Sequence, residues 1–167
     1  MVYFIIFNKS SILKFRSELT ACVHDFFYKQ SFTQIHTPLL TTNNCEGGCE
    51  TFQVKTKDSK EFFGASAFLT ASAQLHLEAM TTNLSRVYTL SPTFRAEKSL
   101  TRHHLAEFYM LEAELVDMSH LEMLLDFVET FVKTVSVRIL RMFRKSKFSI
   151  KLGIFIYASF KYHVTSF

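Results

Sequence analysis

Apolar residues recur near helical spacing over residues 17–28, where Leu19, Cys22, Val23, Phe26 and Phe27 share one side. Ser17 stands as the N-cap of that predicted helix, with Glu18 in its first turn. Ahead of it, MVYFIIFNKSSILKFR runs from apolar to cationic and predicts an apolar strand or a poorly ordered extension. Residues 32–36 alternate as a strand that Pro38 ends or confines to a sheet edge. Residues 43–48 form a loop holding two of the four glycines, and short strands are predicted at 51–55, 61–64 and 86–90. Residues 74–84 read as a helix with Leu75, Leu77, Met80 and Leu84 as its apolar positions. Two further strands, 94–97 and 107–115, are joined by the polar loop 98–104 as an antiparallel hairpin. A helix over 119–132 follows, with Leu121, Leu124, Leu125, Val128, Phe131 and Val132 facing a core and a capping box from Ser119 to Glu122. The predicted class is α+β, an antiparallel sheet flanked by helices.

Composition narrows the classes. The 167 residues are 48% hydrophobic and include 19 Phe, which excludes a disordered chain. Three cysteines are too few for a disulfide scaffold, and no apolar run reaches the roughly 18 residues of a membrane span. The net charge of +4 suggests a nucleic-acid partner until it is partitioned. Residues 17–135 hold nine basic residues and all 15 acidic ones, leaving −6. Residues 1–16 add +3 and residues 136–167 add +7. The chain therefore divides into an atypical extension (1–16), an acidic body (17–135) and a basic-aromatic tail (136–167). Basic-aromatic interleaving in that tail suits RNA or a membrane surface, and equally a segment not shaped for packing.

The densest chemistry lies in TFRAEKSLTRHHLAEFYMLEAEL. Strand alternation puts Arg95 and Glu97 on one face of the first strand, and Phe108, Met110 and Glu112 on one face of the second. A guanidinium, two carboxylates and an aromatic ring suit a polyphosphate and a base. Lys98, Arg102, His103 and His104 supply loop cations that could close over phosphates. A solvated hairpin laced with cross-strand ion pairs carries the same pattern. Cys45 and Cys49 with His36 lack the second ligand pair that a zinc site needs, so no metal ligands are assigned.

Four ordered segments resemble the class II aminoacyl-tRNA synthetases, in their asparaginyl branch and close to its mitochondrial type. FFYKQSFTQIHTPLL matches the first family motif, with Pro38 in place. FRAEKSLTRHHLAEF matches the second. CEGG at 45–48 resembles the mobile loop over the amino acid, and FLTASAQLHLEAM the segment that supplies a substrate-binding Gln. The resemblance implies ATP with Mg as cofactor, asparagine and the acceptor end of tRNA(Asn) as partners, and a partial catalytic domain over 17–135. It implies that Arg95 is the catalytic residue, touching the α-phosphate and the amino acid carboxylate. Glu97, His104 and Phe108 would complete the ATP site: Glu97 at the adenine or the tRNA end, His104 at the γ-phosphate, Phe108 stacked on adenine. Glu46 and Gln74 would hold the α-amino group, and Pro38 a dimer interface. The aspartate enzymes generally carry Lys three residues after this Gln; here Leu77 stands there, which suits a neutral amide.

The pattern also departs from the family. His103 replaces a common Arg, Ala73 a Gly and Ala71 a Val, and no Gly-x-Gly-x-Gly-x-x-Arg segment occurs in the 167 residues. The expectation is a fragment or truncated product that does not aminoacylate tRNA alone. The other reading is a non-catalytic isoform acting as a dimerisation, RNA or partner module, including a heterodimer with a full-length synthetase. The implied location is the mitochondrial matrix or the cytoplasm, without membrane association.

Overall fold

The computed structural model describes residues 2–42, 50–57, 64–98 and 104–143, with side chains from Ser10 to Met142. The expected loop at 43–48, with Glu46, and residues 99–103 lie outside the described residues, as does the segment beyond Phe143. The chain forms two compact units: Ser31–Asp117, and Met1–Gln30 together with Met118–Phe167.

In the helical unit, α1 spans Val2–Lys29 and α3 spans Leu121–Phe143. The expected N-terminal strand or loose extension is not what forms. The helix runs through residues 2–16, and Ser17 lies inside it rather than capping it. Val, Ile and Phe at the start disfavour a helix only weakly, and a continuous backbone ladder overrides that propensity. Cys22, Val23, Phe26 and Phe27 are buried as the spacing predicts. Against them α3 sets Phe127 and Phe131: the Phe26 ring lies 5.7 Å from Phe127 and 5.1 Å from Phe131, both edge-on. Val135 and Ile139 extend this row as the buried positions of α3. The Asp25 carboxylate joins the helices, accepting from Lys29 Nζ at 2.8 Å and from the Arg138 guanidinium. These cations, Lys29 first, hold its carboxyl below the usual range.

The expected apolar face of α3 needs correction. Leu121, Leu124, Leu125 and Val128 are exposed, and the helix continues eleven residues past Val132 to bury Val135 and Ile139 instead. The capping box also does not form. The helix begins one residue late for it, and the Ser119 hydroxyl donates to Met123 Sδ at 3.6 Å.

The other unit holds two three-stranded sheets and helix α2 (Gln74–Leu84). One sheet is ordered β1 (Thr33–Gln34), β5 (Arg86–Phe94), β6 (Glu107–Leu115), with β1 parallel and β6 antiparallel to β5. The second is ordered β2 (Leu40–Thr41), β4 (Ala67–Leu69), β3 (Gln53–Val54), antiparallel throughout. Phe94 N donates to Thr70 O at 2.9 Å and Ala96 N to Glu50 O at 2.7 Å, stitching the second sheet to the end of β5. β1 ends before Pro38 and forms a sheet edge, as expected. Of the strand expected at 61–64, only Gly64 is described. It is a turn residue at φ +76°, where glycine meets no steric penalty.

The first strand of the hairpin is longer than expected and lies earlier in the chain. It is Arg86–Phe94, merging two expected pieces across Pro92, while Arg95–Glu97 continue beyond it. Arg95 N still donates to Ala106 O at 3.1 Å, which makes the 95/106 and 93/108 pairs hydrogen-bonded and the 92/109 pair not. The Pro92 nitrogen thus faces away from β6, on the side where β1 has already ended. No ladder bond is lost, so the strand passes through the proline.

Candidate functional site

The hairpin register decides which side chains meet. Val87, Thr89, Ser91 and Thr93 stand opposite Glu114, Glu112, Met110 and Phe108, and opposed residues share a face. Arg95 and Glu97 extend this row, so the two halves of the expected chemistry lie on one surface. The Arg95 guanidinium carbon sits 5.6 Å from the centre of the Phe108 ring. His104 Nε2 lies 3.4 Å from Glu97 Oε2, both side chains partly exposed.

Helix α2 covers the other end of this face. Leu77 is fully buried and packs with Ala73, Val87 and Ile35. Of the other expected apolar positions of α2, Leu75, Met80 and Leu84 are exposed. The helix start is held by a carboxylate from the sheet. Ala73 N donates to Glu112 at 3.1 and 3.0 Å to its two oxygens, and the Ser72 hydroxyl donates to Oε1 at 2.5 Å. Ser72 Oγ in turn accepts from Gln74 N at 3.1 Å, and Thr70 Oγ1 donates to Ser72 O at 2.7 Å. Amides left open by the first turn are met by a charge that also suits the positive end of the helix dipole.

Sequence reasoning placed Glu112 on the site face but missed that it caps α2. The available signal was Ser72, a capping residue type two positions before Gln74. The pattern also missed the acidic cluster. Gln74 Nε2 donates to Glu78 Oε1 at 2.8 Å. Burial pushes the Glu114 carboxyl up, and the nearby Glu78 and Glu112 charges push it further.

Of the expected residues, the structure brings Arg95 to Phe108 and His104 to Glu97, and sets Gln74 at the start of α2 beside the Glu112 cap. Pro38 is exposed. Among the described residues no group of three His, Cys, Asp or Glu is placed to hold a metal ion. No described helix is long and apolar enough to cross a membrane.

The α+β unit thus joins a guanidinium, an aromatic ring and a carboxylate-capped helix on one surface. The chain belongs to the tRNA synthetases class II (D, K and N), whose family model matches residues 6–164. It is 50% identical over 135 residues to the asparaginyl-tRNA synthetase of Mus musculus, covering 78% of this chain and 28% of the mouse one. It is 44% identical over 137 residues to the mitochondrial asparagine–tRNA ligase of Schizosaccharomyces pombe, covering 75% and 31%. The fold resembles that of the Pyrococcus horikoshii asparaginyl-tRNA synthetase complexed with asparaginyl-adenylate, with a TM-score of 0.73 and 35% identity. That match covers 86% of this chain and 31% of the other. The chain thus spans about 30% of the length of the relatives it matches.

Proposed function

We propose that the 31–117 unit carries the ATP and amino acid surface of an asparagine–tRNA ligase. The observation that carries this reading is the shared hairpin face, on which Arg95 approaches Phe108 at one end and Glu112 caps the Gln74 helix at the other. Phe108 offers a ring to stack on adenine. Arg95 lies beside it to neutralise charge as the substrate carboxylate attacks the α-phosphorus of ATP. In that step a carboxylate O–P bond forms, the α–β phosphoanhydride breaks and pyrophosphate leaves. The tRNA 3′ hydroxyl then displaces AMP. Glu97 lies toward the adenine or the tRNA end. His104 exchanges its Glu97 partner for the γ-phosphate. Glu46 and Gln74 hold the α-ammonium. Positioning and electrostatics supply the catalysis, and no step is assigned to a protein-bound metal.

The choice of asparagine follows from charge. Leu77 stands where the aspartate enzymes generally carry a Lys, so that position supplies no cation to balance a substrate carboxylate. A neutral amide enters a site without that cation at lower cost than a carboxylate does. The exposed Pro38 supports a dimer interface at that strand end, and the mitochondrial relative supports a mitochondrial matrix location.

The test is calorimetric titration of the chain with a sulfamoyl analogue of asparaginyl-adenylate and with its aspartyl counterpart. The asparaginyl probe binds and the aspartyl probe binds at least tenfold more weakly. Arg95→Ala weakens both. Equal binding of the two probes overturns the asparagine assignment, and no binding of either overturns the site.

A further inference from the structure

Glu78 has no part in the surface described so far beyond its charge, yet it makes a specific contact. Its carboxylate lies one helical turn after Gln74 on α2, and Gln74 Nε2 donates to Glu78 Oε1 at 2.8 Å. A glutamine amide has two ends of opposite chemistry, an oxygen that only accepts and an NH2 that only donates. An ionised carboxylate only accepts. Glu78 can therefore hold Gln74 by its NH2 end alone, which leaves the amide oxygen as the group presented away from Glu78. An ammonium needs an acceptor, so this is the end of Gln74 able to receive one. The main chain at Gln74 is held separately, since Gln74 N donates to Ser72 Oγ, which donates to Glu112.

We propose that Glu78 is a positioning residue that fixes the flip of the Gln74 amide, so that its oxygen faces the α-ammonium of the amino acid. The proposal rests on the reading of Gln74 as a contact to that ammonium. Glu78 does not touch the substrate; it acts through Gln74. The titratable groups facing it from β6 are Glu114, whose pKa the Glu78 charge helps to raise, and Glu112, which accepts from Ala73 N and Ser72 Oγ.

The experiment uses two probes on the whole chain: the sulfamoyl analogue of asparaginyl-adenylate, and the same molecule lacking its α-amino group. Glu78→Gln keeps the size of the side chain but offers both a donor and an acceptor, so it no longer selects one flip. Glu78→Ala removes the contact. Both variants weaken the amino-bearing probe about three- to tenfold, the range for losing one oriented hydrogen bond, and leave the des-amino probe unchanged. In the Gln74→Ala background, Glu78→Ala adds no further loss. Equal weakening of both probes means that Glu78 serves only the stability of α2, and overturns the proposal. Additive losses in the double variant overturn it in favour of a direct electrostatic contribution. If the unchanged chain binds the two probes equally, the reading of Gln74 itself fails, and the proposal with it.

Discussion

Helix α2 buries one side chain completely, Leu77, and is held at its start by the Glu112 carboxylate. Helix α3 is held by a row of apolar side chains, with Phe127 and Phe131 against Phe26 and then Val135 and Ile139. Both segments carry a similar helical period in sequence. The first is fastened by a polar cap and a single plug, which leaves its first turn open at the site face. The second is fastened along its length and carries no candidate chemistry. A helix that leaves the polar groups of its first turn open at a surface cannot bury that turn, so its stability is concentrated at few points. Those few points are then sensitive to single substitutions.

The comparison breaks first at Leu77. Leu77→Lys places an ammonium in the fully buried cluster of Ala73, Val87 and Ile35. It is expected to cost more than about 4 kcal/mol and to remove cooperative unfolding of the site unit, read by thermal melts; Leu77→Met, close in volume, costs less than about 1.5 kcal/mol. Phe26→Ala opens the aromatic contact of α1 with Phe127 and Phe131, at about 3–4 kcal/mol by chemical denaturation. Glu112→Ala leaves the buried Ala73 amide without its acceptor and costs about 1–3 kcal/mol, with lost protection of the first turn of α2 in hydrogen exchange.

A smaller effect is expected at Glu114, where the sign is distinctive. Its folded-state pKa lies above the ordinary 4.5, through burial first and then Glu78 and Glu112. The folded chain therefore binds the proton more tightly than the unfolded one. Glu114 contributes no penalty below the ordinary value, and stability falls as pH rises through the folded pKa. Glu114→Gln should raise the melting temperature at pH 7 and flatten the pH profile just above 4.5; an unchanged profile rejects the cluster. The smallest effect is at Leu125, 58% exposed on α3, where Leu125→Ala should stay within about 0.5 kcal/mol.

Much of the fold could be read from local pattern. The bounds of α2, the pairing of residues 107–115 in an antiparallel hairpin and the burial of Cys22, Val23, Phe26 and Phe27 all follow from period and residue type. The errors came where a partner decides the outcome. Leu121, Leu124 and Leu125 satisfy the helical period as well as Val135 and Ile139 do, but α1 meets only the second group. Pro92 looks like a strand end until its nitrogen is known to face the side without a ladder. Helix α1 begins at Val2 because hydrogen-bonded turns propagate past residues of modest propensity.

The sequence by itself determined the α+β class and the ordered motifs that set Arg95, Phe108, His104 and Gln74 at family spacing. Their chemistry is a property of residue type and separation, which a linear text preserves. Only the tertiary structure decided that Arg95 lies over Phe108, that His104 pairs with Glu97, and that Glu112 of β6 caps the helix that begins 38 residues earlier at Gln74. Those contacts depend on register. A one-residue slip in the β5–β6 ladder would turn Phe108 and Glu112 to the opposite face and leave every local pattern unchanged.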